Sequence, residues 1–313
     1  MQIIEQYQGI RATLRGWQVT TARLSLDGDT RQRVGFVADF DGKRRTRSRT
    51  LCSQGVALAM PGQGNCLTPP WGKPFQLGKL AVALLPAGSS PAAAMLRLHF
   101  NGQTVLDARH FAAESLTGAP TVEFREAHGL LLDATAGHVR GASVGELDAW
   151  LEEIAEALAH GPGQLLVDDA LCGAWAAQRL AALVPGLQVR LPAPLRRAWG
   201  WWSPQAPPPK GTKRSGGPWL EVAMRDEASS ALTRWALHDP LRAPPAESER
   251  ALAFRRHAAG TQIDMAIEQT GASWALLQDD AEGHLGATAL ADRLQRRGVQ
   301  SWLLRPAKQM ILV

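Results

Sequence analysis

Residues 165–170 read LLVDDA and residues 276–281 read LLQDDA. Each puts an aspartate pair, Asp168 with Asp169 or Asp279 with Asp280, directly after an apolar run and ahead of a segment with helical spacing. Paired carboxylates at the carboxyl end of a parallel strand are placed to hold Mg²⁺, a hard cation that takes oxygen ligands and assists phosphoryl transfer. The same residues suit a second task, since a carboxylate at a helix start accepts free backbone N–H groups and favours the positive end of the dipole. Beyond the aspartates little points to catalysis: the eight histidines include no H-x-x-x-H pair, and no G-x-S-x-G occurs. Cys52, Cys66 and Cys172 form no C-x-x-C pair and have no histidine at zinc-finger spacing, so they read as reduced, structural thiols.

Within QDDAEGHLGATALADRL, Asp280, Glu282 and Gly283 resemble the second motif of Toprim domains, D-x-D-x-x-G after a strand. The resemblance covers about 30 residues and implies Mg²⁺ held by carboxylates for phosphoryl transfer. It departs from the pattern at Gln278, which stands where the family has its first aspartate. The family's earlier strand-end glutamate has one candidate here, Glu221 in WLEVAMRDE, without the glycine that normally follows.

The charge distribution is the more informative feature. From Gly42 to Leu106 there is no Asp or Glu, while Lys43, Arg44, Arg45, Arg47, Arg49, Lys73, Lys79 and Arg97 supply eight positive charges. From Ala170 to Leu220 acids are again absent, and Arg179, Arg190, Arg196, Arg197, Lys210, Lys213 and Arg214 supply seven more. With a whole-chain net charge of +5, the remaining residues carry a net −10. Exclusion of carboxylates from a basic stretch is what a phosphate track requires, because a carboxylate there cancels an arginine. In DGKRRTRSRT at 41–50, an extended conformation puts Arg45, Arg47 and Arg49 on one face and Thr46, Ser48 and Thr50 on the other. The segment LRRAWGWWSPQAPPPKGTKRSGGPW at 195–219 interleaves Arg196, Arg197, Lys210, Lys213 and Arg214 with Trp199, Trp201, Trp202 and Trp219. Its proline and glycine content predicts a loop, and aromatic faces beside cations suit stacking on unpaired bases; Trp201 and Trp202 are the candidates for that contact.

These segments must be carried by a scaffold, and the patterning predicts an α+β protein: an antiparallel β-rich N-terminal domain followed by an α/β region of strand–helix–strand units. Composition fits a globular chain, 45% hydrophobic and 20% charged over 313 residues. WQVTTARLSL and RVGFVADF read as strands joined by a DGDTRQ turn, and LRLHFNGQTVLDARHF carries an Asn-Gly step between alternating runs, a hairpin signal. SQGVALAMPGQGNCLTPPWGKPF between them reads as an irregular loop. VEFREA and GLLLDAT suggest a second hairpin, and SVGELDAWLEEIAEALAHG a helix opened by Ser with Glu three residues on. Further helices are expected near ASSALTRWAL and across ERALAFRRHAAGTQIDMAIEQTG, and strand–helix–strand units from QLLVDD to LQVRLP and from SWALLQDD to SWLLRP. The expected domains are 1–115, 116–195 and 219–313, with 196–218 as a basic linker.

The opening residues MQIIEQYQGIRATLRG have charged groups where a secretory leader needs an apolar run, and no segment reaches the ~18–20 apolar residues of a membrane span, so a cytoplasmic protein without membrane contact is expected. The leading expectation is a non-catalytic, nucleic-acid-binding component of a larger bacterial assembly, contacting DNA or RNA and other protein subunits, with no cofactor. The alternatives are a Mg²⁺-dependent nuclease or phosphotransfer enzyme using Asp280, Glu282 and Glu221, and a subunit whose basic faces meet an acidic protein.

Overall fold

The structure is a computed structural model that describes residues 2–4, 6–13, 16–26, 34–39, 49–59, 65–135, 141–202, 209, 218–224, 233–238, 250–254, 258, 262–278 and 285–304. The chain divides into two compact units, Met1–Val139 with His257–Val313, and Arg140–Arg256. It is α+β, with a β-rich N-terminal region and mixed parallel and antiparallel pairing.

The chain starts with β1 (Gln2–Ile4), which joins a distant edge, and then lays down a sheet in chain order: β2 (Gln6–Tyr7), β3 (Ile10–Thr13), β4 (Gly16–Val19), β5 (Leu24–Leu26), β6 (Val34–Phe36), β7 (Arg49–Leu51) and β8 (Cys66–Leu67). The pairs from β2 to β5 are antiparallel. From β5 to β8 they are parallel, which corrects the expected antiparallel pairing of the segments around residues 24–26 and 34–36. The expected loop at 53–75 contains a short helix, α1 (Gln54–Ala59), started by Ser53, whose Oγ accepts from Val56 N at 3.1 Å and donates to the Ala92 carbonyl at 2.6 Å.

A second sheet begins with β9 (Phe75–Leu77), β10 (Leu80–Pro86), β11 (Ala94–Phe100) and β12 (Gln103–Asp107), an antiparallel meander. The Asn-Gly hairpin is present between β11 and β12, with Asn101 and Gly102 at φ 50° and 72°, the conformation the two-residue turn demands. The next strand, β13 (Gly129–Asp133), pairs parallel with β12 and not with residues 122–127, which are not strand. GLLLD is almost wholly buried, as a parallel strand covered on both faces must be.

The second unit follows. The helix α2 (Val144–His160) opens with the expected capping box: Glu146 N donates to Ser143 Oγ at 3.2 Å and Ser143 N to Glu146 Oε2 at 2.7 Å. It leads into β14 (Gly163–Val167), α3 (Ala170–Leu183), β15 (Gln188–Arg190), α4 (Ala193–Trp202), β16 (Trp219–Met224), β17 (Thr233–His238) and β18 (Arg250–Ala253). The five strands pair parallel in the order β15-β16-β14-β17-β18. Two expected helices are therefore corrected in part or whole: residues 233–238 and 250–253 are strands. At β17 the ladder with β14 overrides local propensity, and Trp235 occupies the space left because Gly163 has no Cβ.

The chain then returns to the first unit with α5 (Ile263–Thr270), β19 (Trp274–Gln278), α6 (Leu285–Arg296) and β20 (Gln300–Leu304). β19 pairs parallel with β13 and β20, and β1 closes the edge, giving the order β1-β20-β19-β13-β12-β11-β10-β9. This return explains why the compact units do not follow the expected boundaries near 115 and 219: the pairing of β13 with β19 joins residues 129–133 to residues 274–278, leaving 140–256 as an insertion.

Two cores share this sheet with period-two alternation. Leu84, Leu96, Val105, Leu131 and Leu276 face the N-terminal sheet with Ile10, Trp17, Leu26 and Phe36. Leu85, Met95, Leu106, Leu130 and Leu277 face α5 and α6, packing on Ile263, Ile267, Leu290 and Leu294. Each such fully buried leucine contributes about 1.5–3 kcal/mol of transfer free energy.

Candidate nucleic-acid interface

The helix α4 is the described part of the tryptophan-rich basic segment, and it corrects the expectation that residues 195–202 form a loop. Proline is tolerated in a first helical turn, where its missing N–H has no intrahelical partner, so Pro194 does not prevent the helix; Arg196 N donates to Pro192 O at 3.0 Å. Leu195, Ala198, Trp199 and Trp201 are buried. Gln178 Nε2 of α3 donates to the Trp199 carbonyl at 2.9 Å, and Trp202 Nε1 donates to the Leu171 carbonyl at 2.9 Å. Gly173 of α3 admits this contact, because a Cβ there would meet Val167 at 2.7 Å and Leu195 at 3.0 Å. The indole of Trp201 is thus a core group, 8% exposed, and does not offer a face to a base; Trp202 is half-buried with its N–H engaged. The opposite side of α4 presents Arg196 and Arg197, both exposed.

An acid-free stretch of sequence is not acid-free in space. Arg179 pairs with Asp148 of α2 at 3.1 Å. Arg190 pairs with Glu221 of β16 at 3.2 Å, and Gln164 Nε2 donates to the other oxygen of the same carboxylate at 3.2 Å. In the first unit, Arg97 donates from Nε and Nη2 to the Glu126 carbonyl at 3.3 Å. Against these, Arg49 at the start of β7, Lys73, Lys79, Arg196 and Arg197 are exposed and make no ion pair among the described residues. Lys43, Arg44, Arg45 and Arg47, and Lys210, Lys213 and Arg214, lie outside the described residues.

The aspartate question is answered at the first of its two sites. Asp169 is the N-cap of α3: its Oδ1 accepts from Leu171 N at 2.7 Å and Cys172 N at 3.0 Å. Asp168, beside it, is half-buried at the carboxyl end of β14, with its N–H donating to Leu237 O at 3.3 Å. Asp279, Asp280 and Glu282 lie outside the described residues. Glu221 sits three residues before the end of β16, neutralised by Arg190, rather than at a strand terminus as the Toprim pattern has it. Among the described residues no group of three His, Cys, Asp or Glu side chains is arranged to hold a metal ion.

At the carboxyl end of β19, Gln278 has another role. Arg109 donates from Nη1 to Gln278 Oε1 at 2.8 Å, from Nε to Asp107 Oδ1 at 2.8 Å and from Nη2 to Asp107 Oδ2 at 2.6 Å. This bidentate pair is buried, with Asp107 2% and Arg109 5% exposed, and the guanidinium carbon lies 5.3 Å from the centroid of the Trp17 ring. Next to it, Asp133 Oδ1 accepts from Thr135 N at 2.9 Å and Thr135 Oγ1 at 2.5 Å. Gly286, in the first turn of α6, lies so close to the Ala134 and Thr135 carbonyl oxygens that a Cβ would collide with them. These contacts tie the ends of β12, β13 and β19 together and fix where α6 begins. The D-A-R spacing at 107–109 was the only sequence signal for this cluster; its third member is 169 positions away. Compared with known protein families and with curated proteins, the chain matches none.

Proposed function

We propose that the protein binds nucleic acid as a non-catalytic component of a larger bacterial assembly, with the exposed arginine pair of α4 as one phosphate-contacting element. The observation that carries this reading is the contrast within one acid-free stretch. Arg179 and the exposed Arg190 are each paired with a carboxylate, whereas Arg196 and Arg197, exposed on a helix anchored by Trp199, Trp201 and Trp202, make no ion pair among the described residues. Guanidinium groups that make no ion pair among the described residues keep their charge and donors for phosphate oxygens. Arg49 offers a similar exposed charge in the first unit, ahead of Thr50. Lys43, Arg44, Arg45, Arg47, Lys210, Lys213 and Arg214 extend the same two basic stretches in sequence and complete the proposed phosphate contacts. Trp202 retains a partial role beside these cations, while the burial of Trp201 assigns it to packing.

Gel-shift titration with single- and double-stranded DNA and RNA, with and without Mg²⁺, tests the proposal. Binding that weakens steeply with salt and does not require Mg²⁺ is expected. Cleavage that depends on Mg²⁺ would favour the phosphotransfer alternative, and failure to bind any of the four nucleic acids would overturn the proposal in favour of an acidic protein partner. Among the described residues no helix is long and apolar enough to cross a membrane.

A further inference from the structure

The three cysteines are widely separated in sequence, but the N-terminal sheet brings two of them together. In the parallel ladder between β7 and β8, Thr50 is opposite Cys66 and Leu51 opposite Leu67. The ladder continues one bond further, Cys52 N donating to the Leu67 carbonyl at 3.1 Å. Side chains two residues apart on a strand share a face, so Cys52 projects on the same side as Thr50 and its partner Cys66. The two thiols are near enough to influence each other's ionisation. They differ in access: Cys52 is completely buried, whereas Cys66 is half-exposed on β8, a two-residue strand at the sheet edge. Burial, and then the neighbouring Cys66, push the Cys52 thiol well above its ordinary range, so it stays protonated until a partner sulfur is presented to it. Cys172 is buried elsewhere, in the second unit.

We propose that Cys52 and Cys66 form a reversible redox pair, in which Cys66 is the attacking thiol and Cys52 the resolving thiol, and that the oxidant is a low-molecular-weight disulfide. Cys66 loses its proton and its sulfur attacks one sulfur of the oxidant, whose S–S bond breaks to release one thiol and leave a mixed disulfide on Cys66. Cys52 then gives up its proton and attacks the Cys66 sulfur, expelling the second small thiol. The protein has lost two hydrogens, and the oxidant has become two thiols. The S–S bond requires a sulfur separation of about 2.05 Å, and the edge position of β8 allows the approach. The product staples the two ends of the connection that contains α1.

The test is incubation of the whole native protein with mixed oxidised and reduced glutathione, acid quenching, and mass mapping of the alkylated peptides. The expected product is a Cys52–Cys66 cross-linked peptide with no glutathione retained and Cys172 still free. Cys52→Ser should trap glutathione on Cys66, whereas Cys66→Ser should slow reaction at Cys52 by at least roughly tenfold, as burial of the remaining thiol demands. Stable glutathione on Cys66 of the wild type, oxidation of Cys172 at the same rate, or no reaction at all would overturn the proposal. Should Cys52→Ser fail to fold, the wild-type cross-link map and the Cys66→Ser rate still decide between these outcomes.

Discussion

The strand ends at β14 and β19 come from nearly the same sequence, LLVDDA and LLQDDA, yet Asp169 of the first and Gln278 of the second find partners of opposite kinds. At β14 the solution is local. Asp169 turns back onto the first N–H groups of its own helix, within three residues. At β19 the solution is long-range: Gln278 receives Arg109, and Arg109 is clamped by Asp107 on β12. A polar residue at the end of an apolar strand can thus be satisfied by the next helix, as at Asp169, or by a distant strand, as at Gln278. It also accounts for the glutamine that breaks the Toprim pattern, since a neutral acceptor meets one guanidinium N–H while leaving the buried Asp107–Arg109 pair balanced.

The largest effect is expected at Arg109. Arg109→Met leaves Asp107 buried without its counter-charge, and a loss of about 3–5 kcal/mol in urea unfolding is expected, with much of it recovered when Asp107 is also made leucine. A loss below about 1 kcal/mol would mean that the pair is solvated. Gln278→Leu should cost less, about 1–3 kcal/mol, because one guanidinium N–H loses a partner while the charge pair survives. At the other strand end Asp169→Ala removes a single cap, worth about 0.5–2 kcal/mol, and nucleic-acid affinity should not change. Smaller still is Arg179 with Asp148, a pair about one-third exposed, for which a double-mutant cycle should return under about 1 kcal/mol. Replacing both Arg196 and Arg197 by alanine should leave stability within about 0.5 kcal/mol, as expected for exposed side chains without ion pairs among the described residues.

What the sequence made legible was local. The Asn101-Gly102 turn, the Ser143/Glu146 capping box and the β19–α6–β20 unit are each written in a few adjacent residues, and each is present. What it hid depends on partners far along the chain. Nothing in residues 24–36 distinguishes a parallel from an antiparallel ladder, and nothing near 115 or 219 signals that residues 274–304 complete a sheet begun at residue 75. Strand β17 was hidden because its helix-like spacing yields to the ladder with β14. The same limit applied to the candidate interface. Arg179 and Asp148 are 31 residues apart, as are Arg190 and Glu221, so charge counting along the chain treated as free two arginines that folding neutralises. Trp201 shows the converse, an aromatic that looked available beside cations and is buried in the core.

Arg196 and Arg197 make no ion pair among the described residues, and salt dependence reads directly whether they meet phosphates. Affinity for a single-stranded oligonucleotide, measured by fluorescence anisotropy over a series of salt concentrations, gives a slope of log K against log salt for the wild type and for the Arg196→Ala/Arg197→Ala variant. Two lost phosphate contacts should flatten the slope by about 1.4. A slope identical in the two proteins, with the wild type binding, would remove α4 from the interface and contradict the central claim.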